Sequence, residues 1–125
     1  MIVGIGIDLL EVDRVERELQ RGADDFLPSI FLASEIADCA RRRHPARHFA
    51  ARFAAKEAVL KALACGARDI ASFREVEVRV ADRGQGQVVL HGRARDLAAG
   101  RGVRRIALSL ALSSRMSAAG VVLES

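Results

Sequence analysis

An apolar helix that carries a lysine and a glutamate is the strongest constraint on how this chain can fold. Residues 48–66 read HFAARFAAKEAVLKALACG. At ~100° per residue, one side of the predicted helix carries Phe49, Phe53, Leu60 and Leu63. Lys56 falls inside this stripe and Glu57 lies at its edge. Because an unpaired charge at an apolar surface is costly, both side chains need partners from other parts of the fold.

Hydrophobic periodicity divides the first half of the chain into one strand and three helices. Residues 2–9, IVGIGIDL, alternate β-branched residues with glycine, which predicts a buried strand whose backbone another element approaches closely. A period of 3.6 residues follows. We expect, in order, a helix from Leu10 that stops at Gly22, a loop over residues 23–30, a short helix within residues 31–43, and a long helix from Pro45 to about Ala64 that Gly66 terminates.

The second half of the chain changes to a period of two, which is typical of strands. Residues 76–80 alternate valine with charged residues, and residues 84–92 resemble a hairpin turn with a returning strand. A helix over residues 92–102 and two strands within residues 104–124 complete the pattern. The order β-α-α-α-β-β-α-β-β predicts a single α+β domain over residues 1–125, with a mainly antiparallel sheet packed against the long helix.

Composition indicates an anionic partner and a modest core. The net charge is +4 and the pI is near 10.0, which favours phosphate ligands, nucleic acid or acidic proteins. With no Trp or Tyr and five Phe, stability is expected to depend on association with other copies, and stacking on single-stranded nucleic acid is disfavoured. Neither a leader-like N-terminus nor a run of ~18 apolar residues is evident, so we expect a cytoplasmic protein that does not span a membrane.

Two acidic and three basic side chains form the candidate site. Asp8 ends the first strand and Glu57 lies on the core-facing edge of the long helix, so their carboxylates can converge if this helix packs on the strand. Two carboxylates suit Mg²⁺, and Arg52, Lys56 and Lys61 suit ligand phosphates. The alternative is structural: Glu57 and Lys61 form an i,i+4 surface pair worth ~0.3 kcal/mol, and Asp8 is a turn residue.

An arginine row on the first predicted helix has two interpretations. Arg14, Arg17 and Arg21 lie at positions i, i+3 and i+7, away from the apolar side. Such a row is either a solvated face or a docking face for an acidic helix.

Two segments together resemble a known family. GIGIDLLEVDR at residues 4–14 and ARFAAKEAVLKAL at residues 51–63 are similar to the two signature segments of the 4′-phosphopantetheinyl transferase superfamily, in its short holo-[acyl-carrier-protein] synthase branch. The likeness extends to FLASE at residues 31–35 and to the last two predicted strands. It therefore covers most of the chain.

The resemblance implies an enzyme that moves 4′-phosphopantetheine from coenzyme A to a serine of an acyl carrier protein and releases adenosine 3′,5′-bisphosphate. Short members form trimers whose sites lie between subunits. Matched by motif, the catalytic residues are Asp8, Glu57 and Lys61. Asp8 and Glu57 are the Mg²⁺ ligands, and the residues that bind coenzyme A are Arg52, Lys56, Lys61, Gly66 and Ser109. The residues that meet the acidic carrier are Arg14, Arg17 and Arg21.

One departure from the family pattern leaves an alternative function open. The family ends its penultimate strand in Ser-x-Ser-His, whereas this chain has Ser109, Leu110, Ala111 and Leu112. Leu112 also extends the apolar stripe of Ile106, Leu108 and Leu110, which is self-consistent for packing. The alternative is a catalytically weak trimeric scaffold that binds coenzyme A or a carrier. A basic nucleic-acid-binding domain is a remoter third hypothesis, and Glu35 is a weak candidate for the general base.

Overall fold

A three-stranded antiparallel sheet packs against one long helix in the computed structural model of the protein, which describes residues 1–125 apart from the side chain of Ala23. The elements are β1 (Ile2–Glu11), α1 (Val12–Ile30), α2 (Ala33–Ala40), α3 (Pro45–Ala62), β2 (Val76–Val80), β3 (Gly86–Leu90), α4 (Gly92–Gly100), β4 (Arg105–Leu112) and β5 (Met116–Glu124). The sheet has the order β1-β5-β4, and β2 and β3 form a separate antiparallel hairpin. The predicted α+β class and element order are confirmed.

Two glycines allow α3 to lie directly on the backbone of β1. A Cβ atom at Gly4 would lie 2.1 Å from the carbonyl oxygen of Ala62, and one at Gly6 would lie 1.9 Å from that of Ala58. No side chain fits in either place. Because alternate residues of a strand share a face, Asp8 follows Gly4 and Gly6 on the side of β1 that meets α3. The close approach predicted for this strand is confirmed.

The long helix α3 separates two hydrophobic clusters. One cluster joins its alanine-rich side to the sheet, the hairpin and α4. The other joins its N-terminal half to α1 and α2 around Phe31 and Phe49, whose ring centroids are 5.2 Å apart. As a result α3 is buried on nearly all sides, well beyond the predicted apolar stripe. Among the described residues, no helix is both long enough and apolar enough to cross a membrane.

The loop predicted at residues 23–30 is wrong, because this segment belongs to the helical span of α1. Gly22 interrupts the helix with extended dihedrals, φ 170° and ψ 72°, and the helix then resumes and includes Pro28. Burial of Leu27 and Ile30 against the phenylalanine cluster holds this second part in place. Gly22 and Pro28 indicate a helix break in sequence, and tertiary packing overrides that local preference.

The end of α3 also differs from the prediction. The helix stops at Ala62, and the chain turns through a left-handed conformation at Ala64, where φ is 56°. Gly66 has φ −122°, so no glycine is required there.

The sheet face opposite α3 is apolar and open. Ile5, Ile7 and Leu9 point away from the helix and are 66%, 66% and 61% exposed. Their cross-strand neighbours on β5 are Val122, Gly120 and Ala118. Three large apolar side chains in a row on a strand therefore face outward.

We predict that Gly6→Ala destabilises the protein by about 2 kcal/mol or more, because the added methyl must push α3 away from β1. Urea unfolding of the purified variant measures this change. Gly100→Ala is the matched control, since a Cβ there meets nothing within 4 Å. A Gly6→Ala variant as stable as the Gly100→Ala variant would contradict the close-approach argument.

Candidate functional site

Asp8, Glu57 and Lys61 meet where β1 crosses the C-terminal half of α3. Glu57 and Lys61 are one helical turn apart, and Lys61 Nζ donates to Asp8 Oδ1 at 2.7 Å and to the carbonyl oxygen of Ile7 at 3.2 Å. The Asp8 side chain is mostly covered, whereas that of Lys61 is about half exposed. The carboxylates of Asp8 and Glu57 were predicted to converge, and the structure brings them together with Lys61.

The two carboxyl groups of this cluster are close enough to affect each other. Burial, a hydrogen bond with Asp8 and the charge of Asp8 raise the pKa of Glu57 to about 7, against smaller opposing effects of Lys61 and Arg14. Clustered carboxylate oxygens suit a hard divalent cation, which would relieve their repulsion. Among the described residues, no group of three or more His, Cys, Asp or Glu side chains could hold a metal. The two carboxylates of Asp8 and Glu57 fit an ion that takes two protein ligands and completes its shell with water and phosphate.

Lys56 is a structural residue, so the expectation that it binds a coenzyme A phosphate is corrected. Its side chain is 0% exposed, and Nζ donates to Glu35 Oε1 at 2.9 Å, to the Val76 carbonyl at 2.5 Å and to the Phe73 carbonyl at 3.1 Å. These bonds use all three ammonium protons. Burial lowers the pKa of Lys56, and the charge of Glu35 opposes that shift.

Glu35 completes this buried pair and is not placed to act as a base. Besides the ammonium, its carboxylate accepts hydrogen bonds from the backbone N–H groups of Leu32 and Val78, both at 2.8 Å. The side chain is 2% exposed. Because its oxygens are engaged and covered, Glu35 cannot reach a substrate hydroxyl, and the hypothesis of a general base at this position is wrong.

Arg52 lies in a second cationic cluster, on the other side of α3. Its guanidinium is 2% exposed and pairs with Asp38, which also accepts from Arg42 Nη2 at 3.2 Å. Within the part of the chain that the structure describes, the buried Nε atoms of Arg42 and Arg52 have no hydrogen-bond partner. Both arginines line a cavity of about 170 Å³ whose other walls are His48, Ala51, Val80, Gly84, Leu110 and Leu112. Arg52 therefore lies beside this cavity with one buried N–H donor unsatisfied.

Ser109 and Leu112, both at positions where the family pattern has ligand-facing residues, lie on opposite faces of the sheet. Leu112 is 40% exposed and lines the arginine cavity, so it is not buried with the stripe that precedes it. Ser109 pairs with Gly120 and lies on the open face with Ile7, opposite the face that carries Asp8. Within one protomer, Ser109 therefore does not meet the other residues predicted to bind coenzyme A.

Gly66 lies just after the turn that follows α3 and has an internal hydrogen-bond partner. Its backbone N–H donates to Asp69 Oδ2 at 2.7 Å. In the absence of a ligand this donor is therefore used within the chain, and the role of Gly66 in binding coenzyme A stays a prediction.

The arginine row lies on the exposed side of α1, as predicted. Arg14, Arg17 and Arg21 are all exposed, and Arg21 is 3.8 Å from Glu18. The charge of Arg14 lowers the pKa of Glu57, so the row begins beside the carboxylate cluster.

Sequence reasoning missed Asp38, Arg42 and His48. Asp38 and Arg42 stand at i and i+4, a spacing that predicts a helix pair but not their joint approach to Arg52 from another helix. His48 belongs to the α3 segment, but only the fold shows that it shares a cavity with Leu112.

Comparisons with known proteins identify the family and the fold. The profile of the 4′-phosphopantetheinyl transferase superfamily matches residues 4–111. The chain is 42% identical over 124 residues to a holo-[acyl-carrier-protein] synthase of Geobacter sp. (strain M21), covering 99% of each. It superposes on the crystal structure of the holo-[acyl-carrier-protein] synthase of Neisseria meningitidis with a TM-score of 0.88 at 29% identity, covering 100% of both chains.

A third similar protein carries a nucleotide. The Bacillus anthracis holo-(acyl-carrier-protein) synthase, solved in complex with CoA (3′,5′-ADP), matches with a TM-score of 0.79 at 33% identity and covers 100% of this chain and 98% of that one. This chain belongs to the 4′-phosphopantetheinyl transferase superfamily.

We predict that Glu57→Gln stabilises the metal-free protein at pH 8 but not at pH 5. Because the pKa of Glu57 is raised in the folded protein, its contribution to stability is full below its ordinary value of 4.5 and is lost as the pH rises through about 7. Glutamine cannot ionise and avoids this loss, which is on the order of 1 kcal/mol after solvent screening. Urea unfolding in a chelator at both pH values measures the difference. An effect of equal size at pH 5 and pH 8 would contradict the assignment.

Proposed function

We propose that this chain transfers the 4′-phosphopantetheine group of coenzyme A to a serine of an acyl carrier protein, with release of adenosine 3′,5′-bisphosphate. The convergence of Asp8, Glu57 and Lys61 at the junction of β1 and α3 carries the proposal. It places two carboxylates that suit a divalent cation beside an ammonium group that can bind phosphate. Relatives that align over the whole chain bear the corresponding name, which supports the proposal.

The chemistry is a phosphoryl transfer. The carrier serine oxygen forms a bond to the β-phosphorus of coenzyme A, the bond from that phosphorus to the bridging oxygen breaks, and the serine proton is released. Asp8 and Glu57 would hold Mg²⁺, which when bound supplies positive charge beside the pyrophosphate oxygens. Lys61 donates to the same phosphates. Arg14, at the start of the exposed row, orients the carrier beside them.

The second arginine cluster supports a site shared between copies. Arg52 and Lys61 are nine residues apart on α3, so at ~100° per residue they point in nearly opposite directions. The ligand groups that each attracts therefore lie on different sides of one protomer. A homotrimer in which the open β1 face of one copy packs on its neighbour would cover Ile5, Ile7 and Leu9 and join the two clusters across an interface.

The exposed arginine row is the proposed docking face for the carrier. Arg14, Arg17 and Arg21 form a positive edge that begins at the carboxylate cluster, so an acidic helix docked there would present its serine to the phosphates. The cytoplasm is the proposed compartment, since Cys39 and Cys65 are both free thiols.

One observation favours a second candidate function. The arginine cavity is walled by Leu112, an apolar side chain that can donate no hydrogen bond to a ligand. The same chain with weak transfer would be a trimeric scaffold that binds coenzyme A or a carrier protein.

Mass spectrometry of an apo-carrier protein after incubation with this chain, Mg²⁺ and coenzyme A tests the proposal. We expect the carrier to gain the mass of one phosphopantetheine group. Asp8→Asn and Glu57→Gln should each abolish the gain while circular dichroism shows an intact fold. Coenzyme A binding without any mass gain, across several carriers, would instead establish the scaffold.

We predict that Arg14→Glu raises the KM for the carrier roughly tenfold, because a rim charge acts mainly on encounter with an oppositely charged partner. Steady-state kinetics at varied carrier concentration measure this, and Arg17→Glu should shift KM in the same direction. The wild-type KM should rise with added NaCl. A change in coenzyme A binding alone would place α1 at the nucleotide instead.

We predict that Leu112→His tightens coenzyme A binding ~10-fold, since a new hydrogen bond to a charged ligand contributes ~1.5 kcal/mol. Calorimetry measures the affinity. Ala111→Ser is the control, because residue 111 lies on the other face of the sheet. Equal affinities of Leu112→His and wild type would remove Leu112 from the site.

A further inference from the structure

We propose that Lys61 competes with the metal ion for Asp8 and so couples metal binding to phosphate binding. This inference rests on the proposed function, because it takes a divalent cation and the phosphates of coenzyme A as the ligands of the site. It concerns the order and mutual dependence of their binding.

The competition follows from the contacts of the ammonium group. Lys61 Nζ lies 2.7 Å from Asp8 Oδ1 and is held on the strand by the carbonyl oxygen of Ile7 at 3.2 Å. Asp8 is also the carboxylate that contacts Glu57. A cation bound by Asp8 and Glu57 would therefore lie a few ångströms from an ammonium of the same sign. Like charges at that distance repel strongly, so both cannot remain on Asp8.

Lys61 is the partner that moves. The Asp8 side chain is 12% exposed and projects from a strand packed against α3, whereas the Lys61 side chain is 56% exposed on the last turn of the helix. Its four-carbon stem can swing the ammonium into solvent without disturbing the core. An ammonium that has left Asp8 regains an anionic partner only if a phosphate is present. Metal and phosphate therefore strengthen each other's binding, by the same factor in both directions.

Arg14 provides a matched comparison for the effect of charge alone. Lys61 and Arg14 both lower the pKa of Glu57, so the field of each reaches the site. Of these two cations, however, Lys61 is the one that donates a hydrogen bond to Asp8. Lys61→Met and Arg14→Met each remove one positive charge near the carboxylates, but only Lys61→Met removes a competitor.

Calorimetric titration of Mn²⁺ into the wild type and both variants, with and without saturating coenzyme A, tests the proposal. Without coenzyme A, we expect Lys61→Met to bind Mn²⁺ ~10-fold more tightly than Arg14→Met, a factor within the usual range of coupling between sites. With coenzyme A, we expect the affinity for Mn²⁺ to rise less in Lys61→Met than in the wild type.

Each contrary result has a distinct meaning. Equal Mn²⁺ affinities of Lys61→Met and Arg14→Met would overturn the competition, even if the wild type binds Mn²⁺ and modifies the carrier normally. An undiminished effect of coenzyme A in Lys61→Met would overturn the coupling. A wild type that transfers phosphopantetheine but binds no Mn²⁺ would overturn both the metal assignment and this inference.

Discussion

The direct contact between the β1 backbone and α3 is the constraint on which the site depends. Gly4 and Gly6 leave no side chain between strand and helix, and the α3 residues that face the sheet are mostly alanines with small side chains. At this short separation the next residue on the same strand face, Asp8, reaches the helix where Glu57 and Lys61 project. The carboxylate cluster is therefore a consequence of how closely the two elements pack, and a larger residue at position 6 would separate its members.

The lysine within the apolar helix has a structural explanation. Lys56 ties three segments to α3: the start of α2 through Glu35, the turn at Phe73, and β2 through Val76. Replacement of Glu35 by an uncharged residue would leave the buried ammonium of Lys56 without its counter-charge. That loss costs far more than the ion pair itself contributes to stability. Two adjacent residues of α3 thus have different roles, since Lys56 stabilises the fold through buried hydrogen bonds and Glu57 belongs to the candidate site.

Much of the architecture could be predicted because local patterns and tertiary structure agree in most elements. The change of period from 3.6 to 2 located the hairpin and the last two strands, and glycine alternation predicted the close approach at β1. The prediction of a loop at residues 23–30 was wrong because burial of Leu27 and Ile30 outweighs the local preference of Gly22 and Pro28 to break a helix. Hydrophobic periodicity alone could not show that residues 23–30 are helical, since it does not indicate which distant residues pack against a segment.

Only part of the site could be predicted, because some of its contacts follow from local sequence patterns and others do not. The patterns of a single strand and a single helix indicated that Asp8 and Glu57 could converge, with Lys61 one turn after Glu57. It could not show that Lys56 is saturated by carbonyl groups from later in the chain, nor that Asp38 engages Arg52. Those contacts join segments that lie far apart in sequence, so no local pattern contains them.

The central claim is that strand–helix packing places two carboxylates around one cation site. An anomalous difference map from crystals grown with Mn²⁺ tests it most directly. The account predicts a peak between the carboxylate groups of Asp8 and Glu57, with the Lys61 ammonium moved away from Asp8. A map with Mn²⁺ bound elsewhere, or with no peak at these carboxylates, would contradict it.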